Sequence, residues 1–402
     1  MARKQPRIGV WLIGARGGLA TTLVAGTRML AHGLVPATGL LTEGPSGRSV
    51  AWAPFSSFVF GGHDIRGCSL HASAAAVAAA THCFPQDSLA AIRRDLDAVE
   101  SRIVKGAVLN CGPAIRRLAE KKSVRNLLPR AMLGQFRKDL RQFRERESLD
   151  QLIVVNVAST EPPLRPAAHH RSMDALLGAV RKNTDRLRSS EIYGAAAALE
   201  ADAILNFTPN EAFLTQGVRE IANLRGVLYM GNDGKTGETL VKSALAPMFR
   251  YRNLQVLSWM GYNLLGDRDG EVLRDPAHKA AKVRNKDGIL GRILGYTPDS
   301  LVRIDYVPSL EDNKTAWDFV HFAGFLGHRM SLQFTWAGTD SVLAAPLILD
   351  MIRMALVAKE RGESGAMPQL GVFFKAPLDV AEDDLHSQFH RLERWLAAGQ
   401  TR

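Results

Sequence analysis

Five lysines stand out as groups that could stabilise negative charge on a reacting molecule, in a chain where arginine is much commoner than lysine. A lysine ammonium is a compact charge whose pKa the surroundings can tune, which suits it to proton transfer. Lys282 and Lys286 are four residues apart, so they share one face of a helix and repel each other unless an anion such as a phosphate lies beside them. Taken singly, each lysine is equally compatible with an ordinary surface position. The five are Lys235, Lys282, Lys286, Lys314 and Lys375.

A glycine-rich segment follows the first apolar run of the chain and precedes an apolar stretch with helical spacing. Glycines let the backbone approach a pyrophosphate, and the N-terminus of the following helix supplies free N–H groups. The spacing is not the usual G-x-G-x-x-G, so a plain tight turn is the alternative. Asp64, after the second predicted strand, is the candidate acceptor for ribose hydroxyls. The candidate turn residues are Gly14, Ala15, Arg16, Gly17, Gly18 and Leu19.

Short apolar runs alternate with helix-like stretches in the first half, which predicts strands at 8–13, 58–60, 108–109, 152–157, 203–205 and 227–230. Most of these runs end in small polar residues. In a doubly wound sheet the ligand lies outside the carboxyl ends of the strands, so we expect these tips to converge on one crevice. The same residues are also common turn formers. The candidate tip residues are Ala158, Ser159, Thr160, Asn206, Thr208, Asp233 and Thr236.

The pattern changes after residue 236 and predicts a second, smaller domain. Helices are predicted at 239–249, 341–361 and 381–396. Strands are predicted at 256–260, around Ile293, and at 302–307, 331–334 and 372–374. The fold class is therefore α/β: a Rossmann-type doubly wound parallel sheet with a second α+β domain. We assign 1–235, joined by about 345–402, to the first domain and 236–344 to the second.

Composition excludes several classes of protein. The chain has 402 residues, 46% hydrophobic and 23% charged, as in folded two-domain proteins. It has no uncharged apolar stretch long enough to span a membrane, so no membrane association is expected. Arg16 and the glycines interrupt the apolar N-terminal run, so this run is interpreted as a strand rather than a signal peptide. Three cysteines without a C-x-x-C pair favour a reducing cytoplasm and predict no metal site.

The formal net charge of +11 requires a separate explanation, because basic residues are concentrated between residues 116 and 146. Such a face could attract nucleic acid. The stretch has few aromatic residues for stacking on bases, and it matches no nucleic-acid motif. We interpret it as a solvated helical face and expect no nucleic-acid partner, while a positive field also favours an anionic small substrate.

Several segments distributed from the glycine turn to Lys375 together resemble the myo-inositol-1-phosphate synthase family, also called inositol-3-phosphate synthase. The segments are 59–65 (VFGGHDI), 206–210 (NFTPN), 231–243 (GNDGKTGETLVKS), 262–270 (YNLLGDRDG), 311–314 (EDNK), 340–346 (DSVLAAP) and 374–377 (FKAP). The chain departs from the family pattern at a few positions. His63 replaces an aromatic residue, Thr236 a Ser, Leu240 a Lys and Leu264 a His, which leaves room for an altered sugar phosphate.

The resemblance implies an NAD-dependent intramolecular lyase or isomerase of inositol and phospholipid biosynthesis. Its family converts glucose 6-phosphate to 1D-myo-inositol 3-phosphate by oxidation at C5, enolisation, aldol closure and re-reduction. It implies that Lys282 faces O5, that Lys375 faces the aldehyde oxygen O1, and that Lys286 and Lys314 clamp the phosphate, with Lys235 and Thr236 also near the substrate. It further implies a homotetramer assembled through the second domain. The remaining implied residues are Asp233, Asn263, Asp269 and Asp340 as orienting groups, with Asp340 and Ser341 also near NAD.

Three alternatives remain open from the sequence. An enzyme of the same fold could use another sugar phosphate or make another cyclitol. An ordinary sugar-phosphate dehydrogenase would release NADH in proportion to substrate. A non-catalytic protein that binds NAD or nucleic acid would use the basic stretch and show binding without turnover.

Overall fold

The structure is a computed structural model and describes residues 5–275, His278 and 289–398. It contains a seven-stranded parallel sheet and a four-stranded mixed sheet. The strands are β1 Ile8–Ile13, β2 Phe58–Asp64, β3 Ile103–Lys105, β4 Gln151–Asn156, β5 Ala203–Asn206, β6 Leu228–Met230, β7 Gln255–Leu265, β8 Asp299–Tyr306, β9 Lys314–Ala323, β10 Arg329–Gly338 and β11 Gly365–Ala366.

The helices surround the first sheet and cover one face of the second. They are α1 Gly18–Ala31, α2 Leu70–Thr81, α3 Ser88–Ala91, α4 Arg93–Glu100, α5 Pro113–Leu118, α6 Pro129–Arg146, α7 Met173–Arg181, α8 Ser189–Glu200, α9 Gln216–Leu224, α10 Gly237–Tyr251, α11 Arg268–Val272, α12 over residues 289–294, α13 Asp340–Glu360 and α14 Leu385–Ala398.

The first sheet has the strand order β11-β6-β5-β4-β1-β2-β3, so the chain reverses its direction of winding between β1 and β4. In an open parallel sheet the ligand crevice lies at this reversal, outside the carboxyl ends of the strands. The predicted turn after β1 and the predicted tip after β4 therefore lie on the two sides of one crevice. This confirms the predicted α/β fold class.

The first sheet is buried on both faces, which explains why its strands are continuous apolar runs rather than alternating ones. All six residues of β1 are buried. One face packs against α1 and α13, and the other packs against α6, α8 and α9. Helix α13 is long and apolar enough to cross a bilayer by composition alone, but 78% of its most apolar window is buried inside the protein. It is a core helix of this sheet.

The second sheet has the order β10-β9-β7-β8, with β7 and β8 parallel and the other neighbours antiparallel. One face packs against α10 and α12 through Phe249, Trp259, Ile293 and Val320. The other face carries Tyr262, Trp317 and other half-exposed side chains. The division of the chain at about residues 235 and 345 stays a prediction.

Some predicted elements were wrong. The predicted strand at 372–374 is the end of a 3-10 helix, Pro368–Phe373, because the proline starts a helical turn and the apolar run is buried in the core. Ile293 lies in α12 rather than in a strand. Residues 108–109 follow β3 instead of forming it, and β2 continues through Gly61 and Gly62 to Asp64.

Candidate functional site

A cleft of about 690 Å³ lies at the carboxyl ends of β1 and β4. Its walls come from the first sheet, from the start of β9 and from the first turn of α13, so residues distant in sequence face the same volume. The predicted site residues that line it are Gly14, Arg16, Gly17, Gly18, Leu19, Asp64, Ala158, Ser159, Thr160, Thr208, Asp233, Thr236, Lys314, Asp340, Ser341 and Lys375.

The turn between β1 and α1 fits a dinucleotide phosphate. Gly14 has φ +90°, and a Cβ there would lie 3.1 Å from the Cα of Ala158, so a side chain would be strained and crowded. Helix α1 begins after Gly17 without a capping side chain, and Gly17 and Gly18 line the cleft. The N–H groups of the first turn and the positive end of the helix dipole are therefore available to a pyrophosphate.

Hydrogen bonds of Asp64 and Ala15 hold this turn in place. The two carboxylate oxygens of Asp64 accept the backbone N–H groups of Arg16, at 2.6 Å, and Arg66, at 2.7 Å. Asp64 lines the cleft but is almost completely buried. Ala15 is buried and does not line the cleft, and its N–H donates to the carbonyl of His63. The assignment of Ala15 to the cofactor site stays a prediction.

Asn206 is the centre of a buried amide network and does not line the cleft. Its amide nitrogen donates to the side chain of Asn232 and its oxygen accepts from Asn156 and Thr208, at 2.7–2.9 Å. The side chain has no exposed surface and joins strand tips, and the assignment of Asn206 to the cofactor site stays a prediction. Asn156 and Asn210 line the cleft instead, although the sequence analysis did not select them.

Lys375 and Asp233 form a buried ion pair in the wall of the cleft. The Nζ of Lys375 donates to Oδ1 of Asp233 at 2.9 Å, and both side chains are at most 6% exposed. The backbone holds this pair in place, because the N–H of Lys375 donates to the carbonyl of Asp233 at 2.7 Å. The ammonium predicted to face the substrate is thus fixed beside one of the predicted orienting carboxylates.

Lys314 forms a second pair on the same cleft. Its Nζ lies 3.1 Å from Oδ2 of Asp340, the first residue of α13. Nearby, Asp312 accepts the hydroxyl of Ser341 at 3.2 Å, and burial followed by the charge of Asp340 raises the pKa of Asp312. Asp312 is a cleft residue that the sequence analysis missed, although it stands two positions before Lys314 in the segment EDNK.

Two predicted residues lie away from the cleft. Lys235 is buried against α14, where its ammonium donates to Gln388 at 2.5 Å, and burial lowers its pKa to about 8. Asn263 is buried on β7 and donates to Glu238 at 2.5 Å. The packing that turns each of these two side chains away from the cleft is not encoded in the local sequence. Lys282 and Lys286, and the side chain of Asp269, lie outside the described residues.

His63 stands at a position where an aromatic residue is expected from the family resemblance. Hydrogen bonds hold its ring in place. Its Nδ1 accepts from the indole of Trp11 at 2.9 Å, which leaves the ring proton on Nε2, where Asp139 accepts it at 2.9 Å. Burial lowers the pKa of His63, so the neutral ring is favoured. His63 also lines the cleft, so these hydrogen bonds fix a neutral ring in the cleft wall.

Several arginines of the basic stretch pair with acids. On α6, Arg137 pairs with Glu200 and Arg144 pairs with Asp202, each at 2.5 Å. Arg125 pairs with Asp139. These pairs support the interpretation of α6 as a solvated helical face.

The comparisons with known proteins agree with this site. The sequence matches the family model of the NAD-binding myo-inositol-1-phosphate synthases over residues 8–397. It is 30% identical to inositol-3-phosphate synthase 1 of Bacteroides thetaiotaomicron, with 97% of this chain and 95% of that protein aligned. It is also 30% identical to inositol-3-phosphate synthase 1 of Rattus norvegicus, over 94% of this chain and 75% of that protein.

The fold agrees as well. The crystal structure of inositol-3-phosphate synthase from Caenorhabditis elegans superposes with a TM-score of 0.85 at 22% identity, covering 99% of this chain and 86% of that one. The glycine turn, the acid-paired lysines and the match along nearly the whole sequence lead to one conclusion. This chain belongs to the myo-inositol-1-phosphate synthase family.

Proposed function

We propose that this chain is an inositol-3-phosphate synthase, which binds NAD and cyclises glucose 6-phosphate to 1D-myo-inositol 3-phosphate. One observation supports this most strongly: the glycine turn of α1 and two acid-paired lysines, Lys314 and Lys375, line the same cleft. A dinucleotide and a sugar phosphate can therefore lie side by side. The family match and the Bacteroides relative support the same activity.

The reaction requires C6 of the sugar to attack C1. A proton on C6 becomes acidic only when C5 is a ketone, and bound NAD supplies the hydride acceptor for that oxidation and returns the hydride after ring closure. Negative charge develops on O5, first in the oxidation and again in the enolate, and then on O1 in the ring closure. Fixed ammonium groups aimed at these oxygens lower the barriers without needing to reorganise.

Lys375 is placed to stabilise one of these oxygens and to exchange its proton. Its ammonium is buried, and Asp233 keeps it oriented. As a hydroxyl proton leaves the sugar or returns to it, the ammonium and amine forms of the lysine act as acid and base. We assign Lys375 to O1, as the family resemblance implies, and Asp233 to its positioning.

The phosphate of the substrate fits at the start of α10, beside Lys314. The Nζ of Lys314 lies 3.1 Å from where a Cβ on Gly237 would be, and Gly237 is the first residue of α10. Thr236 precedes it and lines the cleft. A helix N-terminus and an ammonium together form an anion site, and Asp340 holds that ammonium in place.

The test is to mix the purified chain with NAD⁺ and glucose 6-phosphate and to analyse the products by phosphorus NMR and mass spectrometry. We expect an inositol phosphate and no sustained rise in NADH absorbance, because the oxidation and the reduction cancel. NADH formed in proportion to consumed sugar would indicate a dehydrogenase. If the chain cyclised a different sugar phosphate but not glucose 6-phosphate, the proposed mechanism would stand and the proposed substrate would be wrong.

We propose that the chain forms a homotetramer through the open face of the second sheet. Tyr262, Trp317, Phe319 and His321 form a row of rings on this face, with centroids 5.6–6.4 Å apart, and Leu264 is exposed beside them. Apolar patches of this kind mark contact surfaces. Light scattering after size exclusion should give four chains, and Trp317→Lys should give a smaller species.

A cytoplasmic location is the final proposal. The three cysteines are free thiols, and a phosphorylated sugar and NAD are both intracellular metabolites. Fractionation of source cells with a specific antibody should recover the chain with soluble cytoplasmic markers. Recovery in a membrane or secreted fraction would contradict the proposal.

A further inference from the structure

Outside the cleft, two adjacent histidines and a glutamate converge on one point. His169 and His170 end a 3-10 turn, and Glu191 lies in the first turn of α8. The Nε2 atoms of His169 and His170 lie 3.2 and 3.1 Å from the same oxygen, Oε1 of Glu191. The three ligand atoms all lie within 4.8 Å of one another.

We propose that His169, His170 and Glu191 bind a divalent transition-metal ion, with Zn²⁺ as the best fit. Bonds of about 2.0–2.2 Å to nitrogen and carboxylate oxygen in a tetrahedral site place neighbouring ligands roughly 3.3 Å apart, close to the two separations observed here. Two imidazoles and one carboxylate are a donor set that zinc accepts, leaving a fourth position for water. The cysteine spacing predicts no metal site, and it carries no information about these two histidines.

The polar atoms that face one another lack other partners. Within the described part of the chain, Nε2 of His169 and Oε1 of Glu191 make no hydrogen bond, although both side chains are more than nine-tenths buried. Burying polar groups without partners is costly, so a cation between them would remove an existing penalty.

The second oxygen of Glu191 and the ring of His170 are already positioned. Oε2 of Glu191 accepts the N–H of Arg188 at 2.9 Å, which fixes the carboxylate at the start of α8. Nδ1 of His170 accepts the N–H of Ala167 at 3.1 Å, which leaves the proton of a neutral ring on Nε2. Metal binding at Nε2 transfers that proton to Nδ1 and gives up this backbone contact, so His170 is the weakest of the three ligands.

The site has an entry path and a structural consequence. His170 lines a second cleft of about 910 Å³, separate from the cofactor cleft, through which a hydrated ion can reach it. Ser189 and Ser190, just before Glu191, line the cofactor cleft. A bound ion would therefore fasten the turn at 168–170 to the first turn of α8, beside the cofactor.

The test is zinc binding to the full chain after treatment with a chelator, measured by calorimetry and by thermal unfolding with added ZnCl₂. Glu191→Gln preserves shape and removes the charge. Loss of a second-shell partner alone weakens metal sites about 10- to 100-fold, so loss of this ligand should weaken zinc binding at least about 100-fold. The control His390→Gln alters an exposed histidine that also neighbours a glutamate, and it should bind zinc like the unmodified chain.

The outcomes separate this site from others. Loss of one zinc equivalent in Glu191→Gln and in His169→Gln, with zinc-free unfolding temperatures near that of the unmodified chain, supports the proposal. Equal zinc binding by these variants and the unmodified chain overturns it and points to another site, such as the cofactor cleft. No zinc binding by the unmodified chain also overturns it. Cobalt adds a signature, since the unmodified chain should show visible tetrahedral absorption and Glu191→Gln should not.

Discussion

The two halves of the cleft are held together by different forces. On the first sheet, the groups that hold the cleft are neutral. The side chains of Asn156, Asn206 and Thr208 form hydrogen bonds with one another, and the glycine turn offers backbone N–H groups. Elsewhere in the cleft wall, charged pairs hold the side chains, with Lys375 on Asp233 just after β6 and Lys314 on Asp340 at the start of α13. The neutral half fixes shape, and the charged half supplies the groups that respond to charge on a substrate.

This difference predicts that variants of the charged half lose turnover while remaining folded, and that variants of the neutral half lose cofactor affinity or stability first. The expected loss of turnover decreases from Lys375→Met through Gly14→Ala and Asn206→Ala to Lys235→Met.

Lys375→Met should have the largest effect. Removing one donor to a developing oxyanion typically lowers kcat about 100- to 1000-fold, and Lys375 is the buried ammonium of the cleft wall. Steady-state kinetics at saturating NAD⁺ measure this. Lys359→Met, which alters a half-buried lysine bonded to the carbonyl of Gly226, should keep kcat within about twofold, because a change outside the cleft leaves transition-state contacts intact. Equal losses in both variants would contradict the assignment.

Gly14→Ala should chiefly affect the cofactor. Its φ of +90° and the backbone of Ala158 at 3.1 Å leave no room for a methyl group. Strain of roughly 1–3 kcal/mol should weaken NAD binding about tenfold or more, as measured by fluorescence titration. Gly26→Ala is the matched control, since a Cβ there meets nothing within 4 Å, and it should bind NAD normally. Unchanged NAD affinity in Gly14→Ala would show that the dinucleotide does not bind at this turn.

Asn206→Ala should reduce stability more than turnover. The substitution deprives Asn156, Thr208 and Asn232 of a buried partner, which costs about 1–3 kcal/mol in the free energy of unfolding. Urea unfolding measures this. Asn223→Ala, on the exposed end of α9, should stay within about 0.5 kcal/mol of the unmodified chain. If Asn206→Ala were as stable as the unmodified chain but had lost turnover, the role of Asn206 would be to contact the cofactor.

Lys235→Met should leave turnover unchanged but alter the pH dependence of stability. Burial lowers the pKa of Lys235 to about 8 in the folded chain, while the unfolded value is near 10.5. Between these values the unfolded chain binds more protons, so stability rises with pH, by about 2 kcal/mol from pH 7.5 to 9.5. The variant should lack this rise in urea unfolding. A large loss of kcat would instead place Lys235 in catalysis.

Much of the fold could be predicted from the sequence, because buried parallel strands are continuous apolar runs with polar ends. Strand β1 matches its predicted bounds, β5 and β6 differ from theirs by one residue at one end, and β4 is shifted by one residue. The predicted strands at 372–374 and around Ile293 failed because a short apolar run fits a buried helix equally well. Only the packing against the core distinguishes the two.

The residue types of the site could be predicted from the sequence better than the directions in which their side chains point. Asp233 and Lys375 are 142 residues apart, and backbone hydrogen bonds between the segments 231–235 and 373–378 bring them together. Lys235, in the first of these segments, points the other way into α14. Local spacing identifies such residues as chemically capable, but the tertiary contacts decide which side of the backbone each one occupies.

The most direct test of the central claim follows a deuterium atom at C5 of glucose 6-phosphate through one turnover with unlabelled NAD⁺. A hydride removed from C5 and returned within the same cleft should leave the deuterium on the inositol phosphate, with no NADH accumulating. Deuterium found in released NADH, or an inositol phosphate that has lost its label, would contradict an internal oxidation and re-reduction at this site.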